Sequence, residues 1–113
     1  MKNALLALFT VFASAGLVAA QFQINTPDNL IECVPSLITW INGDSPFTLV
    51  IHEPDANGHI IQEFSDLTSR SFTWSTDVSA GTTVGFSLRD RSGAEAQSAP
   101  VTILAGSSTS CIA

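Results

Sequence analysis

Val84-Gly85-Phe86-Ser87-Leu88 places an apolar side chain at every second position, and that period of two decides the fold class. Side chains alternate between the two faces of a β-strand, so Val84, Phe86 and Leu88 share one face. Upstream, Phe47-Thr48-Leu49-Val50-Ile51-His52 repeats the pattern, with Phe47, Leu49 and Ile51 on one side. Pro54 ends that segment. Asp55-Ala56-Asn57-Gly58 follows as a hairpin signal, because Asn-Gly tolerates the positive φ angles of a tight reverse turn. The return strand runs from His59 to Phe64, and Phe72 and Trp74 share a face in Ser71 to Ser75.

Toward the N-terminus, Phe22 and Ile24 alternate with Gln23 and Asn25 until the turn cluster Thr26-Pro27-Asp28-Asn29, and Leu30 to Cys33 is a short second piece. Leu37 to Ile41 is apolar on both faces, which predicts a central strand without a wet face. Toward the C-terminus, a turn at Asp90-Arg91-Ser92-Gly93 leads into Ala94 to Ser98, a break at Pro100, and Val101 to Leu104. No segment carries a helical stripe of useful length. About seven short strands separated by turns predict an all-β chain, an antiparallel immunoglobulin/fibronectin-like β-sandwich. A small barrel is the alternative that the same alternation permits.

The N-terminus reads differently. Met1-Lys2-Asn3 precedes an apolar run from Ala4, which closes on the small residues Val18-Ala19-Ala20. A charged start, an apolar centre and a small-residue end predict a secretory signal over residues 1–20, cleaved before Gln21. A transmembrane anchor would need about 20 unbroken apolar residues, whereas Thr10, Ser14 and Gly16 interrupt this run. The expected layout is therefore signal 1–20, sandwich 21–105 and a Ser-rich tail 106–113. Localisation follows as secreted and extracellular.

Loss of Lys2 takes the formal charge from −6 to −7, leaving Arg70, Arg89 and Arg91 against 10 carboxylates. Nucleic-acid binding is excluded on that balance, since phosphates are held by clustered Lys and Arg, and anionic membranes are disfavoured by the same sign. Cys33 and Cys111 are the two cysteines. In an exported chain they predict a disulfide, against free thiols or intermolecular pairing.

Catalytic and metal chemistry find little footing. His52-Glu53-Pro54-Asp55 with His59 is the one cluster of ligand types. It lacks the helical spacing of a zinc protease, and the two histidines are not directly opposite across the hairpin. Gln21, rather than a histidine, would become the N-terminal residue, which argues against a copper oxidase. There is no Gly-x-Ser-x-Gly elbow, and the carboxylates fall mainly at turns. No catalytic residue, metal site or cofactor is expected. Trp40 and Trp74 lie in apolar strands and are expected in the core; if exposed, either would be a sugar-stacking contact.

Five segments in order, Phe22-Gln23-Ile24-Asn25-Thr26-Pro27, Leu37-Ile38-Thr39-Trp40, Ser71-Phe72-Thr73-Trp74, Ala80-Gly81-Thr82 and Phe86-Ser87-Leu88-Arg89-Asp90, carry a family resemblance over Phe22 to Leu104. The chain resembles the fungal secreted domain similar to the N-terminal immunoglobulin-like domain of the yeast cell-wall synthesis (killer-toxin-resistance) family. The resemblance implies a non-catalytic, wall-associated domain, linked in relatives to β-1,6-glucan assembly. Its expected partner is cell-wall polysaccharide, with a secreted protein-interaction module, an effector or signalling ligand, as the alternative. Longer relatives continue into a stalk and an apolar anchor tail, whereas this sequence ends at Ser110-Cys111-Ile112-Ala113, so no membrane anchor is expected. Ser107 to Ser110 offers hydroxyls for O-glycosylation. Nothing in the sequence sets an oligomeric state.

Overall fold

A computed structural model describes residues 21–55 and 58–112. The signal sequence expected over residues 1–20 lies outside the described residues, as does the Ala56-Asn57 centre of the hairpin. Eight strands follow in order: β1 (Gln23–Ile24), β2 (Ser36–Ile41), β3 (Phe47–His52), β4 (Ile60–Leu67), β5 (Ser71–Trp74), β6 (Thr83–Arg89), β7 (Glu95–Gln97) and β8 (Val101–Thr102). They form two antiparallel sheets, β1-β2-β5 and β4-β3-β6-β7, with β8 also paired to β6. The expected sandwich is the architecture found. β7 and β8 pair in turn with the same strand, β6, on either side of Pro100.

Alternation assigns the faces as expected in the larger sheet. Phe47, Leu49 and Ile51 of β3, with Val84, Phe86 and Leu88 of β6, are all fully buried. Ile24, Ile38, Trp40 and Trp74 approach them from the smaller sheet, and Leu30 and Ile103 close the core from connecting segments. Burying a large apolar side chain contributes about 1.5–3 kcal/mol, which makes this inward set the main source of stability.

Two expectations need correction. β2 is central in its sheet, but it has a wet face: Leu37 is 62% exposed and Ile41 47%. Its outer side belongs to a three-stranded sheet and is left uncovered among the described residues. Leu30 to Cys33 forms no strand; Ile31 makes a single parallel bridge to Leu104. The hairpin expected at Asp55 to Gly58 is present in its hydrogen bonds, with the Glu53 N–H on the His59 carbonyl at 2.9 Å and the Gly58 N–H on the Asp55 carbonyl at 3.0 Å.

One turn requires its glycine. Gly43 has φ +81°, and a Cβ there would meet the Phe22 ring at 2.7 Å. Asn42 and Gly43 both hold positive φ and reverse the chain between β2 and β3. The Arg70 guanidinium fixes that turn, Nε donating to the Asn42 carbonyl at 3.1 Å and Nη2 to the Gly43 carbonyl at 2.7 Å.

Edge strand β4 is long, yet poorly suited to recruiting another strand. Two register shifts interrupt its pairing with β3, Asp66 adopts φ 58°, and Glu63 and Asp66 add charge. Bulges and charges of this kind blunt edge-to-edge pairing.

Candidate functional site

Trp40 and Trp74 are buried, at 2% and 1% exposure, so the condition for sugar stacking on either indole is not met. Size and apolar area put both in the core. Trp40 packs edge-on against Phe47, and Trp74 against Phe86. The Trp74 indole N–H donates to Gln62 Oε1 at 2.7 Å, and Gln62 Nε2 donates in turn to Asp77 at 2.9 Å. This chain ties β4 to β5 across the side of the sandwich, beside the Phe64–Phe72 ring contact. The Trp40 indole N–H, by contrast, is buried without a hydrogen-bond partner among the described residues.

Cys33 and Cys111 form the expected disulfide, bridging 78 positions of sequence with a Cα–Cα distance of 5.6 Å. The bridge lies beside Thr76, whose carbonyl accepts the Cys33 N–H at 3.0 Å and whose hydroxyl donates to the Val34 carbonyl at 2.7 Å. The ligand-type cluster of the β3–β4 hairpin does not gather. His52 pairs with Ile60 rather than with His59, and no group of three or more metal-ligating side chains occurs among the described residues.

What the topology does bring together is the outward side of β3, β6 and β7. Val50 pairs with Ser87, which pairs with Gln97; Thr48 pairs with Arg89, which pairs with Glu95. Of these, Val50, Ser87, Arg89, Glu95 and Gln97, with described residues of the β3–β4 hairpin, line a groove of about 460 Å³. His52 forms one wall and is held at both nitrogens. Nδ1 lies 2.8 Å from the Glu53 carbonyl, which can only accept, so Nδ1 carries a proton. Nε2 lies 2.8 Å from the Ser87 hydroxyl and accepts from it when the ring is neutral. The ring has room because position 85 is glycine: a Cβ there would meet His52 Cε1 at 2.9 Å. Arg89 and Glu95 pair at 3.4 Å with both side chains largely exposed, a contact worth at most about 1 kcal/mol.

At the opposite end of β3, the β2–β3 and β6–β7 turns meet at Asp90. Its Oδ1 accepts the Ser92 hydroxyl at 2.7 Å and the Ser92 and Ala94 N–H groups, and its Oδ2 accepts the Asp44 N–H at 3.0 Å. The Ser92 hydroxyl first, and then the Asp44 N–H, hold its carboxyl below the ordinary aspartate range, against the opposing effect of burial. A depressed folded-state pKa gives stability that is present above the unfolded value and lost as pH falls through the folded one. The urea midpoint of the wild-type protein should therefore exceed that of Asp90→Asn near neutral pH, and the gap should close as pH drops below about 4. A gap independent of pH would mean that the ionised carboxylate is not what joins these turns.

The same loop end forms a cleft of about 560 Å³ lined by Asp44, Ser45, Arg70, Arg91 and Ser92. Two of the three arginines in residues 21–113 thus meet in one place. Neither the sheet-face groove nor this cleft was signalled by a motif. The groove depends on strand register, and Arg70 and Arg91 are brought together by turns on different strands.

Two facing antiparallel sheets in this strand order define an immunoglobulin/fibronectin-like sandwich. No family model matches the sequence, and no curated protein sequence matches it. Among solved structures, the chain is similar to extracellular domains 3–5 of Drosophila OTK, with 11% identity, a TM-score of 0.47, and coverage of 78% of this chain and 37% of that one. It is also similar to an Fn3-like protein from Clostridium thermocellum, with 17% identity, a TM-score of 0.45, and coverage of 80% of this chain and 98% of that one. This chain thus spans little more than a third of the OTK structure's length.

Proposed function

We propose that this protein is a non-catalytic extracellular recognition domain that holds a fungal cell-wall polysaccharide, a β-glucan, in the groove on the outer face of β3, β6 and β7. The observation that carries the reading is the ordered row of hydrogen-bonding side chains there. Ser87 and Gln97 lie on neighbouring strands about 4.8 Å apart, beside a histidine immobilised at both ring nitrogens. Preorganised polar groups on a rigid sheet bind hydroxyls at low entropic cost. The groove's carboxylates are engaged in structural contacts: Glu95 faces Arg89, and Asp55 accepts the Gly58 N–H. The signal-like sequence of residues 1–20 and the disulfide support an extracellular setting.

Co-sedimentation with insoluble β-glucan and with chitin tests this. The wild-type protein is expected to be retained on β-glucan, and Arg89→Ala combined with Gln97→Ala to reduce retention about tenfold, the loss of two hydrogen-bonding groups. Release of wild-type and variant alike would remove the reading. The alternative, docking of a protein partner, draws on Leu37 and Ile41, exposed together on the outer face of β2. It would be favoured if Leu37→Ser disrupted a complex while leaving glucan retention absent in both forms.

A further inference from the structure

We propose that the cleft at the β2–β3, β4–β5 and β6–β7 turns is a second binding site, selective for the carboxylate of an acidic sugar. It lies at the end of the sandwich where β3 begins, away from the hairpin end of the groove, and it does not depend on the glucan reading. The residues from 21 onward carry ten acids and three arginines, and two of those arginines line this one cleft. Among the described residues, the ion pair is Arg89 with Glu95, and neither Arg70 nor Arg91 has a carboxylate within salt-bridge distance.

Arg70 is preset for such a role. Two backbone carbonyls hold Nε and Nη2, and the guanidinium carbon sits 5.6 Å from the centre of the Phe47 ring. Nη1 is left without a protein partner among the described residues. A planar guanidinium fixed in this way matches a planar carboxylate by charge-assisted hydrogen bonds. Arg91 supplies the second cation. Its backbone N–H donates to the Asp44 carbonyl at 2.8 Å, and the Asp44 N–H donates to Asp90, so two of the three turns carrying the site are joined to each other.

The remaining lining selects the body of the ligand. Ser45, Ser92 and the Asp44 carboxylate are polar, and among the described residues no apolar side chain lines the cleft. A hydroxylated ring finds acceptors and donors there, whereas an apolar peptide side chain finds no surface to bury. Asp44 also opposes a bare anion. An acidic sugar offsets that repulsion, because its hydroxyls donate to the carboxylate; inorganic phosphate has no comparable set of neutral donors. A volume of about 560 Å³ lies in the range of small-ligand sites.

The test is a titration of the intact, disulfide-bonded protein followed by amide proton–nitrogen spectra, in parallel with sodium glucuronate, glucose, sodium phosphate and an N-acetylated acidic dipeptide. Glucuronate is expected to give saturable shifts at Ser45, Arg91 and Ser92, with glucose giving none there and phosphate and dipeptide binding more weakly. Arg91→Ala, an exposed position whose backbone bond survives the change, should weaken glucuronate about tenfold. Asp44→Asn keeps its backbone bonds and removes a like charge, so glucuronate should bind it several-fold more tightly and phosphate should gain more. The proposal is overturned if glucuronate and glucose act alike at these residues. It is equally overturned if phosphate or the dipeptide binds as tightly as glucuronate, or if neither substitution changes the glucuronate affinity. Shifts at Val50, Ser87 and Gln97 report the groove separately.

Discussion

Phe47→Ala is expected to lower folding stability by about 3–5 kcal/mol, the range for truncating a fully buried aromatic residue. Phe47 opens β3 with no exposed surface, stacks with Phe22 at 6.0 Å and receives the edge of Trp40 at 5.4 Å. Both rings come from the opposite side of the core, so neither can collapse into the space without leaving its own contacts. Domains of this size have about 5–15 kcal/mol in total, and the variant should show a large fall in urea midpoint with an unchanged denaturant slope. The same ring lies under the Arg70 guanidinium, so any folded fraction should also bind anions less well at the loop-end cleft. A loss below about 1 kcal/mol would mean that the core rearranges around position 47 and that the ring does not set its packing.

Removal of the disulfide, by Cys33→Ser with Cys111→Ser, is expected to cost about 2–3 kcal/mol. The chain-entropy estimate for a bridge spanning 78 positions is larger, about 4–5 kcal/mol. The difference comes from the folded state. Gly106 is packed against the Glu32 carbonyl, but Ser107 to Cys111 is exposed. In the folded protein the bridge therefore closes only a short loop beyond Gly106, and cutting it frees that segment in the native state as well. Loop-closure cost grows with the logarithm of length, so the net effect is the ratio of the long loop to the short one, about 2–3 kcal/mol. Equilibrium urea unfolding of the double variant measures it. A loss of the full 4–5 kcal/mol would show that Ser107 to Ser110 stays ordered without the bridge.

The inward faces of β3 and β6 were readable because each strand has one apolar face and one mixed face, and a period of two then leaves a single choice. In β2 the same rule fails. Leu37 and Ile41 compete with Ile38 and Trp40 for the core, both faces are apolar, and periodicity cannot say which is buried. The larger area of Trp40 settles it, with Leu37 left in solvent. The cysteine pair was legible from count and compartment alone.

The candidate sites were less legible because they are properties of pairing. Val50, Ser87 and Gln97 become neighbours only through antiparallel register. Gly85 explains the fixed His52 ring only once the two strands are side by side. Arg70 and Arg91 stand in separate turns, and their meeting depends on the Asn42-Gly43 reversal and on Asp90 joining the loops. Composition pointed away from nucleic acid and anionic membranes as whole-molecule partners, and two local arginines are compatible with that. An acidic surface repels anions at long range, but screening confines the effect to about 8–10 Å at moderate salt.

The most direct measurement is amide-shift mapping of the intact protein with a soluble β-glucan oligosaccharide. The expected result is a contiguous set of shifts at Val50, His52, Ser87 and Gln97, with the buried Trp40 and Trp74 indole N–H signals unmoved. Shifts centred on Leu37, Thr39 and Ile41, or no shifts at saturating oligosaccharide, would contradict recognition on the outer face of β3, β6 and β7.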